Sequence, residues 1–356
     1  MDFSRRDFAR AVLGGALAAH PAFRPAWAQE RPAPGIKISL QLPADFTEED
    51  LVFAKQLGVG YVSVPTRGGT YDTFAGIKQR VEAARLKIAN IGNSNVHNMP
   101  EVTLNLPGRD EKIAAYKQYL RDLGKAGIGY TTYAHMGNGI WSSEPGTTRG
   151  GATARSFNQE TAKGHWDGKV FEPPLTHGRK YTKEELWENY SFFIKQVAPV
   201  AEEANVRIGI HPDDPPVPEL GGVPRSIFGN FDGYVKALEI ANSKNVGVCL
   251  CCGTWMEGGP AMGKDVVEVI RAFGKLGKLW KIHFRNVTSP VPQFVETFVD
   301  DGYTDMKKVM RALVEVDFQG ILIADHVPQM VGGRKVGWAY SIGYIKALYD
   351  MAREGR

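Results

Sequence analysis

The feature that most constrains this chain is a regular alternation of short β-rich runs with stretches of helical periodicity. Eight such runs occur along the sequence, and each is followed by a helical pattern. Eight strand–helix units are the count of a (β/α)8 TIM barrel. The predicted strands are residues 36–42, 61–64, 88–91, 129–133, 206–210, 246–250, 279–284 and 320–324. The predicted helices are residues 48–57, 73–86, 111–126, 183–204, 231–241, 264–276, 304–316 and 340–353.

A doubly wound parallel sheet is the alternative α/β architecture. It usually has fewer units and often a glycine-rich dinucleotide fingerprint, for which the sequence offers only the weak match Gly137-Asn138-Gly139. We therefore predict a single-domain TIM barrel over residues 29–356, with one long insertion after strand 4. That insertion, residues 134–181, is rich in Gly, Ser, Thr and Pro, and we name it the lid segment. A connection of this length after a barrel strand predicts a functional cover over the C-terminal rim.

The first residues have the layout of an export signal. The pair Arg5-Arg6 precedes a short apolar run, residues 11–19, and small residues follow at positions 26 and 28. This pattern predicts a twin-arginine signal peptide over residues 1–28 and a periplasmic or otherwise exported protein. An amphipathic first helix is the alternative, but the run is too short to span a bilayer and prolines follow it.

Composition excludes several classes of protein. The formal charge is only +4, from 43 basic and 39 acidic residues, so no basic footprint for nucleic acid or a membrane surface is present. No apolar run has the length of a transmembrane helix. All three cysteines lie between residues 249 and 252, which excludes a disulfide framework and makes a thiolate ligand a reasonable expectation.

Metal-capable side chains end four consecutive predicted strands. They are His211, Cys251, His283 and Asp325, and His211 lies in a loop stiffened by three prolines. A single His or Asp after a strand is more often a hydrogen-bonded core or turn residue. Four at the same rim instead predict a mononuclear metal site with two imidazoles, one thiolate and one carboxylate.

The alternation of side chains along a strand separates the three cysteines. Cys249 and Cys251 share one face, and Cys251 lies nearer the rim. We expect Cys249 to be a small core residue, the usual role of a buried thiol. Cys252 is a less favoured alternative ligand.

Five motifs resemble those of the mannonate dehydratases, xylose-isomerase-like barrel enzymes that remove water from a sugar acid to give a 2-keto-3-deoxy acid. The resemblance implies a divalent ion, usually manganese, at the four positions named above. Ligand softness alone suits zinc or iron, and cobalt is a further alternative. The family's Asp-His-Gly-His appears here as Asp-His-Val-Pro, so a histidine is missing. The motifs are residues 210–216 (IHPDDPP), 222–225 (GVPR), 250–254 (LCCGT), 283–286 (HFRN) and 325–330 (DHVPQM).

Dehydration of a 2,3-dihydroxy acid needs a base for the C2 proton and an acid for the C3 hydroxyl. We rank His326 and Tyr340 first for these roles, followed by Asp213 and Asp214. The alternative for each is a supporting role, such as the orientation of Asp325 by its neighbour His326.

Further polar residues are candidates for substrate binding. Arg285 and Arg225 are chosen for the substrate carboxylate, with a structural ion pair as the equal alternative. The lid cation Arg149 suits an anionic ligand, and Asn95 and His97 suit substrate hydroxyls. Two tryptophans, at positions 141 and 255, are candidate sugar platforms, although packing is the ordinary role of a tryptophan.

The sequence thus predicts a metal-dependent dehydratase acting on a small-molecule, mannonate-like aldonate. A metal-dependent isomerase, epimerase or keto-sugar lyase on the same barrel is the first alternative. A non-catalytic periplasmic sugar-acid binder is the second, and the four-ligand set argues against it. Resemblance also implies a homo-oligomer, and we expect no partner nucleic acid or membrane.

Overall fold

Eight parallel strands form the central sheet of the protein. The computed structural model describes residues 35–225 and 227–355. The strand order is β3-β2-β1-β8-β7-β6-β5-β4, and β3 also contacts β4, so the sheet is a nearly closed barrel. The predicted TIM barrel is therefore confirmed. The strands are β1 (Lys37–Gln41), β2 (Tyr61–Thr66), β3 (Lys87–Asn93), β4 (Tyr130–Tyr133), β5 (Arg207–Ile210), β6 (Val246–Cys251), β7 (Leu279–His283) and β8 (Ile321–Ile323).

One long helix follows each strand and packs on the outside of the barrel. Capping boxes mark the starts of several, among them those at Thr47, Thr182 and Asp265. The apolar faces of the helices and strands join in a large hydrophobic core, and a small second cluster contains Tyr130 and Trp280. The helices are α1 (Glu48–Gln56), α2 (Tyr71–Ala83), α3 (Arg109–Lys125), α4 (Lys183–Glu203), α5 (Phe231–Ala241), α6 (Val266–Lys275), α7 (Met306–Glu315) and α8 (Arg334–Glu354).

The last helix begins six residues earlier than the sequence predicts. Its first residue is Arg334, and Gly333 precedes it with φ 92°. The prediction of a start near residue 340 was wrong because the helix has no Ser, Thr, Asp or Asn cap to mark its beginning. This shift places Tyr340 within the second turn of α8.

The lid segment is built from small strands. Ile140–Ser142, Lys163–Trp166 and Lys169–Phe171 form one antiparallel sheet, while Ser156–Asn158 pairs with Gln293–Thr297 from the β7–α7 connection. The predicted cover is thus joined to the barrel's C-terminal rim by backbone hydrogen bonds. The predicted signal, residues 1–28, lies outside the described residues. Among the helices that are described, we find none with the length and hydropathy needed to cross a membrane.

Candidate active site

A cavity of about 260 Å³ opens at the C-terminal rim of the barrel. Side chains from the ends of β1, β2, β3, β4 and β7 line it, together with the residues that follow β5 and β8. The lid segment contributes Met136, Ile140 and Trp166 to its wall. This is where a TIM barrel places its chemistry.

Three of the four predicted metal ligands meet beside this cavity. Ligand atoms of His211, Cys251 and His283 all lie within 4.8 Å of one another, and the three side chains are buried. His211 Nδ1 lies 2.7 Å from the Pro212 carbonyl oxygen, which leaves Nε2 as the free ring nitrogen. Burial, followed by the nearby His283 charge, lowers the pKa of His211 to about 3, so its imidazole is neutral and able to ligate.

Asp325, the fourth predicted ligand, lies against His283. Its Oδ1 is 3.3 Å from His283 Nδ1, yet that buried nitrogen has no hydrogen-bond partner among the described residues. Two groups that share one ion point at the ion rather than at each other, so this geometry fits a divalent cation. Asp325 also adopts a left-handed backbone with φ 61°, which is uncommon for a residue other than glycine.

The donor set therefore suits a metal. Two imidazoles, a thiolate and a carboxylate are a typical set for a transition-metal ion. Cys251 Sγ accepts a hydrogen bond from the Thr254 amide at 3.4 Å and caps the short helix Cys252–Gly258.

Cys249 does not have the core role that the sequence predicts for it. Its Sγ lies 3.4 Å from His283 Nε2, so it contacts the ring nitrogen opposite the one that faces Asp325. Burial raises the pKa of this thiol, but the neighbouring His283 outweighs burial and the pKa is lowered. Metal-bound imidazoles commonly donate their second N–H to such a partner, so Cys249 orients His283. Cys252 instead lies in the hydrophobic core.

Arg285 is not free to bind a substrate carboxylate. It is 2% exposed, and its guanidinium contacts four carboxylates and the Thr254 hydroxyl. The structural ion pair, the alternative left open by the sequence, is what the structure has. The carboxylate oxygens lie 3.1 Å (Asp325), 2.8 Å (Glu257), 3.3 Å (Asp214) and 3.2 Å (Glu296) from its nitrogens.

Arg155, a lid residue that the sequence did not select, enters the same cluster. Its guanidinium lies 2.6 Å from Asp214, 2.9 Å from Glu296 and 3.6 Å from Glu257. We name Arg155, Arg285, Asp214, Glu257 and Glu296 the charge cluster. It lies behind the metal-ligand residues and connects the lid segment to β7.

Glu257 is the least compensated member of the charge cluster. It is fully buried, and its Oε2 has no hydrogen-bond partner among the described residues. Burial, followed by the nearby Asp214 charge, raises the pKa of Glu257 to about 8. Neither Glu257 nor Glu296 had a sequence signal, because their partners are distant along the chain.

Asp213 and Asp214 have different roles. Asp214 lines the cavity, but Arg155 binds its Oδ1, and Arg285 and Thr254 bind its Oδ2. Burial raises its pKa, but the two arginines outweigh burial and the pKa is lowered, so Asp214 is an anion. Asp213 is buried and accepts a hydrogen bond from the Phe228 amide at 3.3 Å, which holds the loop of His211. Burial raises the pKa of Asp213 to about 6.

Arg225 is also occupied by the protein itself. It is 2% exposed and donates to the backbone carbonyls of Asp214 and Gly139 and to the Asn138 side chain. It therefore fixes the lid segment against the His211 loop. The structure does not place its guanidinium among the described residues that line the cavity.

Among the predicted catalytic residues, Asp214 and His326 line the cavity, and His326 is the more exposed of the two. Its side chain is 44% exposed, and Nδ1 lies 2.9 Å and 3.0 Å from the two Glu296 carboxylate oxygens. Desolvation lowers the pKa of His326, but the charges of Asp325 and Glu296 outweigh it and the pKa is raised. A carboxylate-backed imidazole whose second nitrogen is free is suited to proton transfer.

Tyr340 and Arg149 lie together, away from the cavity wall that the structure describes. Arg149 makes a two-pronged ion pair with Asp300 and donates to the Tyr340 hydroxyl at 3.2 Å. This arrangement fastens the lid segment to α8. Neither residue is among the described residues that line the cavity, so the predicted catalytic role of Tyr340 and the predicted substrate contact of Arg149 stay predictions.

An aromatic pair closes one side of the cavity. His97 packs on Trp166 with ring centroids 5.1 Å apart, and both line the cavity. His97 Nδ1 lies 3.3 Å from the Thr132 carbonyl oxygen, which leaves Nε2 for a ligand, and burial lowers its pKa to about 4. Asn95 is exposed and outside this cavity wall. The proposed platforms at positions 141 and 255 are buried, with their indole N–H groups bonded to backbone carbonyls.

The opposite wall of the cavity is neutral and polar. Ser63 on β2 and Asn90 and Asn93 on β3 line it, and each is at least nine-tenths buried.

Lys281, two residues before His283 on β7, also lines the cavity and is 3% exposed. The sequence prediction missed Lys281, although its alternation with His283 on one strand face was a usable signal.

Comparisons with known proteins identify the family. A family model described as D-mannonate dehydratase (UxuA) matches residues 68–353. The mannonate dehydratase of Streptococcus pneumoniae (strain 70585) is 30% identical over 292 residues, covering 76% of this chain and 78% of that protein. The one from Thermotoga neapolitana is 29% identical over 300 residues, covering 76% of this chain and 81% of that protein.

Solved structures agree with these matches. The crystal structure of mannonate dehydratase from Streptococcus suis serotype 2 aligns with a TM-score of 0.79 at 27% identity, over 91% of this chain and 95% of that one. A structure of L-ribulose 3-epimerase aligns with a TM-score of 0.58 at 13% identity, over 90% of this chain and 96% of that one, a likeness of fold alone. With the family model covering most of its length, this chain belongs to the D-mannonate dehydratase family.

Proposed function

We propose that this protein is a metal-dependent sugar-acid dehydratase that converts D-mannonate or a close aldonate to its 2-keto-3-deoxy acid. The observation that carries the proposal is the position of His326. This imidazole, backed by Glu296, lines the same cavity as His211 and His283. An acid–base group and a metal-ligand set thus face one space of the size of a six-carbon acid.

The reaction breaks the C2–H bond, whose proton passes to solvent water, and the C3–O bond, whose hydroxyl leaves as water with a proton from His326. The resulting enol becomes the keto acid. When bound, the metal supplies positive charge beside the carboxylate as negative charge develops there. His326 holds a proton because Asp325 and Glu296 raise its pKa, and it donates that proton to the departing C3 hydroxyl. His97 binds a sugar hydroxyl through Nε2, and Trp166 excludes water from that side.

Manganese is the ion that we propose for the site. The carboxylate of Asp325 and the two imidazoles are compatible with it, while the Cys251 thiolate also suits zinc, iron or cobalt. Metal analysis of purified protein, with activity measured after removal of the metal and return of each ion singly, tests this choice. Highest activity with zinc and no recovery with manganese would exclude manganese.

The central experiment offers a panel of aldonic acids to the metal-loaded protein and assays 2-keto-3-deoxy product. We expect turnover of mannonate by the wild type and a loss of about 10²- to 10⁴-fold in kcat for His326→Gln, the range for a lost general acid. Turnover of a keto-sugar without any dehydration of aldonates would favour an epimerase, isomerase or lyase. Binding without turnover would favour a sugar-acid binder.

Export by the twin-arginine route is a separate proposal, based on residues 1–28. Cell fractionation, with N-terminal sequencing of the mature protein, tests it. Replacement of Arg5-Arg6 by two lysines should retain the uncleaved protein in the cytoplasm, and normal cleavage of that variant would contradict the proposal. Homo-oligomer formation also stays a prediction, testable by sedimentation of the mature protein.

A further inference from the structure

The floor of the cavity contains a buried cation without an ionic partner. Lys281 on β7 is 3% exposed, and its Nζ donates to the Thr132 hydroxyl at 3.3 Å. Among the residues that the structure describes, no carboxylate lies within ion-pair distance of this nitrogen. A buried ammonium normally needs an anionic partner, because desolvation of an unpaired charge is costly.

Lys281 is also the one lysine or arginine among the described residues that line the cavity. The neighbouring arginines cannot replace it. Arg285 is surrounded by four carboxylates, and Arg225 is bonded to backbone carbonyls. An anionic ligand that enters the cavity therefore has Lys281 as the one lysine or arginine that it can meet among the described lining residues.

A second unsatisfied group faces the same space from β3. Asn90 is 6% exposed and lines the cavity, and its Oδ1 has no hydrogen-bond partner among the described residues. An amide oxygen accepts hydrogen bonds, so its missing partner is a donor such as a hydroxyl. Within the described part of the chain, Lys281 lacks an anionic partner and Asn90 Oδ1 lacks a hydrogen-bond donor. A hydroxy acid supplies both, through its carboxylate and a hydroxyl group.

We propose that Lys281 binds the carboxylate of the acid substrate and that Asn90 accepts a hydrogen bond from a substrate hydroxyl near it. This inference rests on the proposed function and specifies the end of the substrate that reaches the floor of the barrel. Lys281 is then the residue that distinguishes a sugar acid from a neutral sugar, because the ion pair forms only with the acid.

The test compares two ligands that differ only in charge, D-mannonate and D-mannonamide. Their binding is measured by calorimetry with metal-loaded His326→Gln, in which loss of the proposed acid slows turnover of mannonate during the titration, with and without the added Lys281→Met substitution. Loss of one partner from a buried ion pair typically costs about 2–5 kcal/mol in binding. We therefore expect an affinity for mannonate about 100-fold lower in Lys281→Met, with the affinity for mannonamide changed less than about threefold. Equal losses for both ligands, or unchanged mannonate binding, would overturn the proposal.

A second variant and the wild type itself keep the test decisive. Lys281→Gln retains a donor for Thr132 and serves if the methionine variant does not fold, as judged by near-ultraviolet circular dichroism. It should show the same selective loss of mannonate affinity. His326→Gln protein that retains Lys281 and binds acid and amide equally would also overturn the inference. Wild type without dehydration of any aldonate would instead contradict the proposed function, and the two failures are thus distinguishable.

Discussion

The two halves of the barrel mouth differ in the chemistry of their side chains. The half built from β5 to β8 bears ionisable ligands, among them His211 and His283, and the charge cluster packs behind it. The half built from β1 to β3 offers neutral hydroxyl and amide groups, such as Ser63 and Asn90. The first half therefore has the groups for metal binding and proton transfer, whereas the second has the groups for recognising a polyol chain. Substitutions in the two halves should have separable effects.

Removal of a metal-ligand imidazole should have the largest effect. Because residues that only orient ligands cost about 10- to 100-fold in metal affinity, we expect His283→Ala to cost more than about 100-fold and to abolish turnover. Metal content after dialysis against a weak chelator measures this. His165→Ala, in an exposed part of the lid segment, is the matched control. Full metal content in His283→Ala would show that the β5–β8 half of the mouth does not bind the metal.

Loss of the carboxylate behind His326 should alter the pH profile. The donating imidazole must be protonated, so activity is present below its raised pKa and falls as the pH rises through it. Glu296→Gln removes one charge that raises this pKa, so the descending limb should move to lower pH, with kcat about 10- to 100-fold lower. Tyr340→Phe should leave kcat and the profile unchanged. If the descending limb of the pH profile lies at the same pH in Glu296→Gln as in wild type, that result would argue against His326 as the acid.

The charge cluster should dominate stability rather than substrate preference. Arg155→Met leaves Asp214 and Glu296 with one buried cation fewer, and breaking such pairs costs about 3–5 kcal/mol of unfolding free energy. Urea unfolding measures the loss. Arg149→Met, which breaks a more exposed ion pair with Asp300, should cost less than about 1 kcal/mol. Equal losses of unfolding free energy in both variants would show that burial does not make the ion pairs of Arg155 more stabilising than that of Arg149.

Glu257 should make stability depend on pH. The unfolded chain releases this proton near the ordinary value of 4.5, whereas burial keeps it bound in the folded state up to about pH 8. The stabilisation is thus fully present below the unfolded pKa and is lost as the pH rises through the folded one, by at most about 1.4 kcal/mol per pH unit. Thermal unfolding across this range should show a steeper fall for wild type than for Glu257→Gln. Parallel curves would contradict the raised pKa.

The neutral half should give the smallest effect. Asn90→Ala removes one hydrogen bond to a neutral group, worth about 1 kcal/mol, which corresponds to about a fivefold rise in KM for mannonate with little change in kcat. Steady-state kinetics measures both constants, and Gln118→Ala on the outer face of α3 is the control. A fall in kcat with no change in KM would show that Asn90 acts in the chemical step rather than in substrate binding.

Sequence reasoning located the barrel and its rim well, because strand periodicity and strand ends are local properties. His211, Cys251 and His283 follow from those properties alone, and the structure brings them together. The partners of Arg285 are not local. Three of its four carboxylates come from other connections and Glu296 from its own, so an arginine beside a ligand gave no sign that its charge was already balanced.

The helix start before Tyr340 was missed for a different reason. A helix that begins after two glycines has no side-chain cap, so its predicted start lay six residues too late. Sequence reasoning also missed Lys281. Its proposed role depends on the cavity that it lines, which its neighbours in the chain do not reveal.

The position of Arg155 has a consequence for how such enzymes can diversify. A surface loop can usually be exchanged between relatives without regard to the scaffold beneath it. Here the loop carries one of the two arginines that pair with Asp214 and Glu296, so a graft without that arginine leaves the two anions with Arg285 alone. Loop and scaffold must therefore be inherited together, and chimaeras should retain Arg155 with the two carboxylates as one transferable unit.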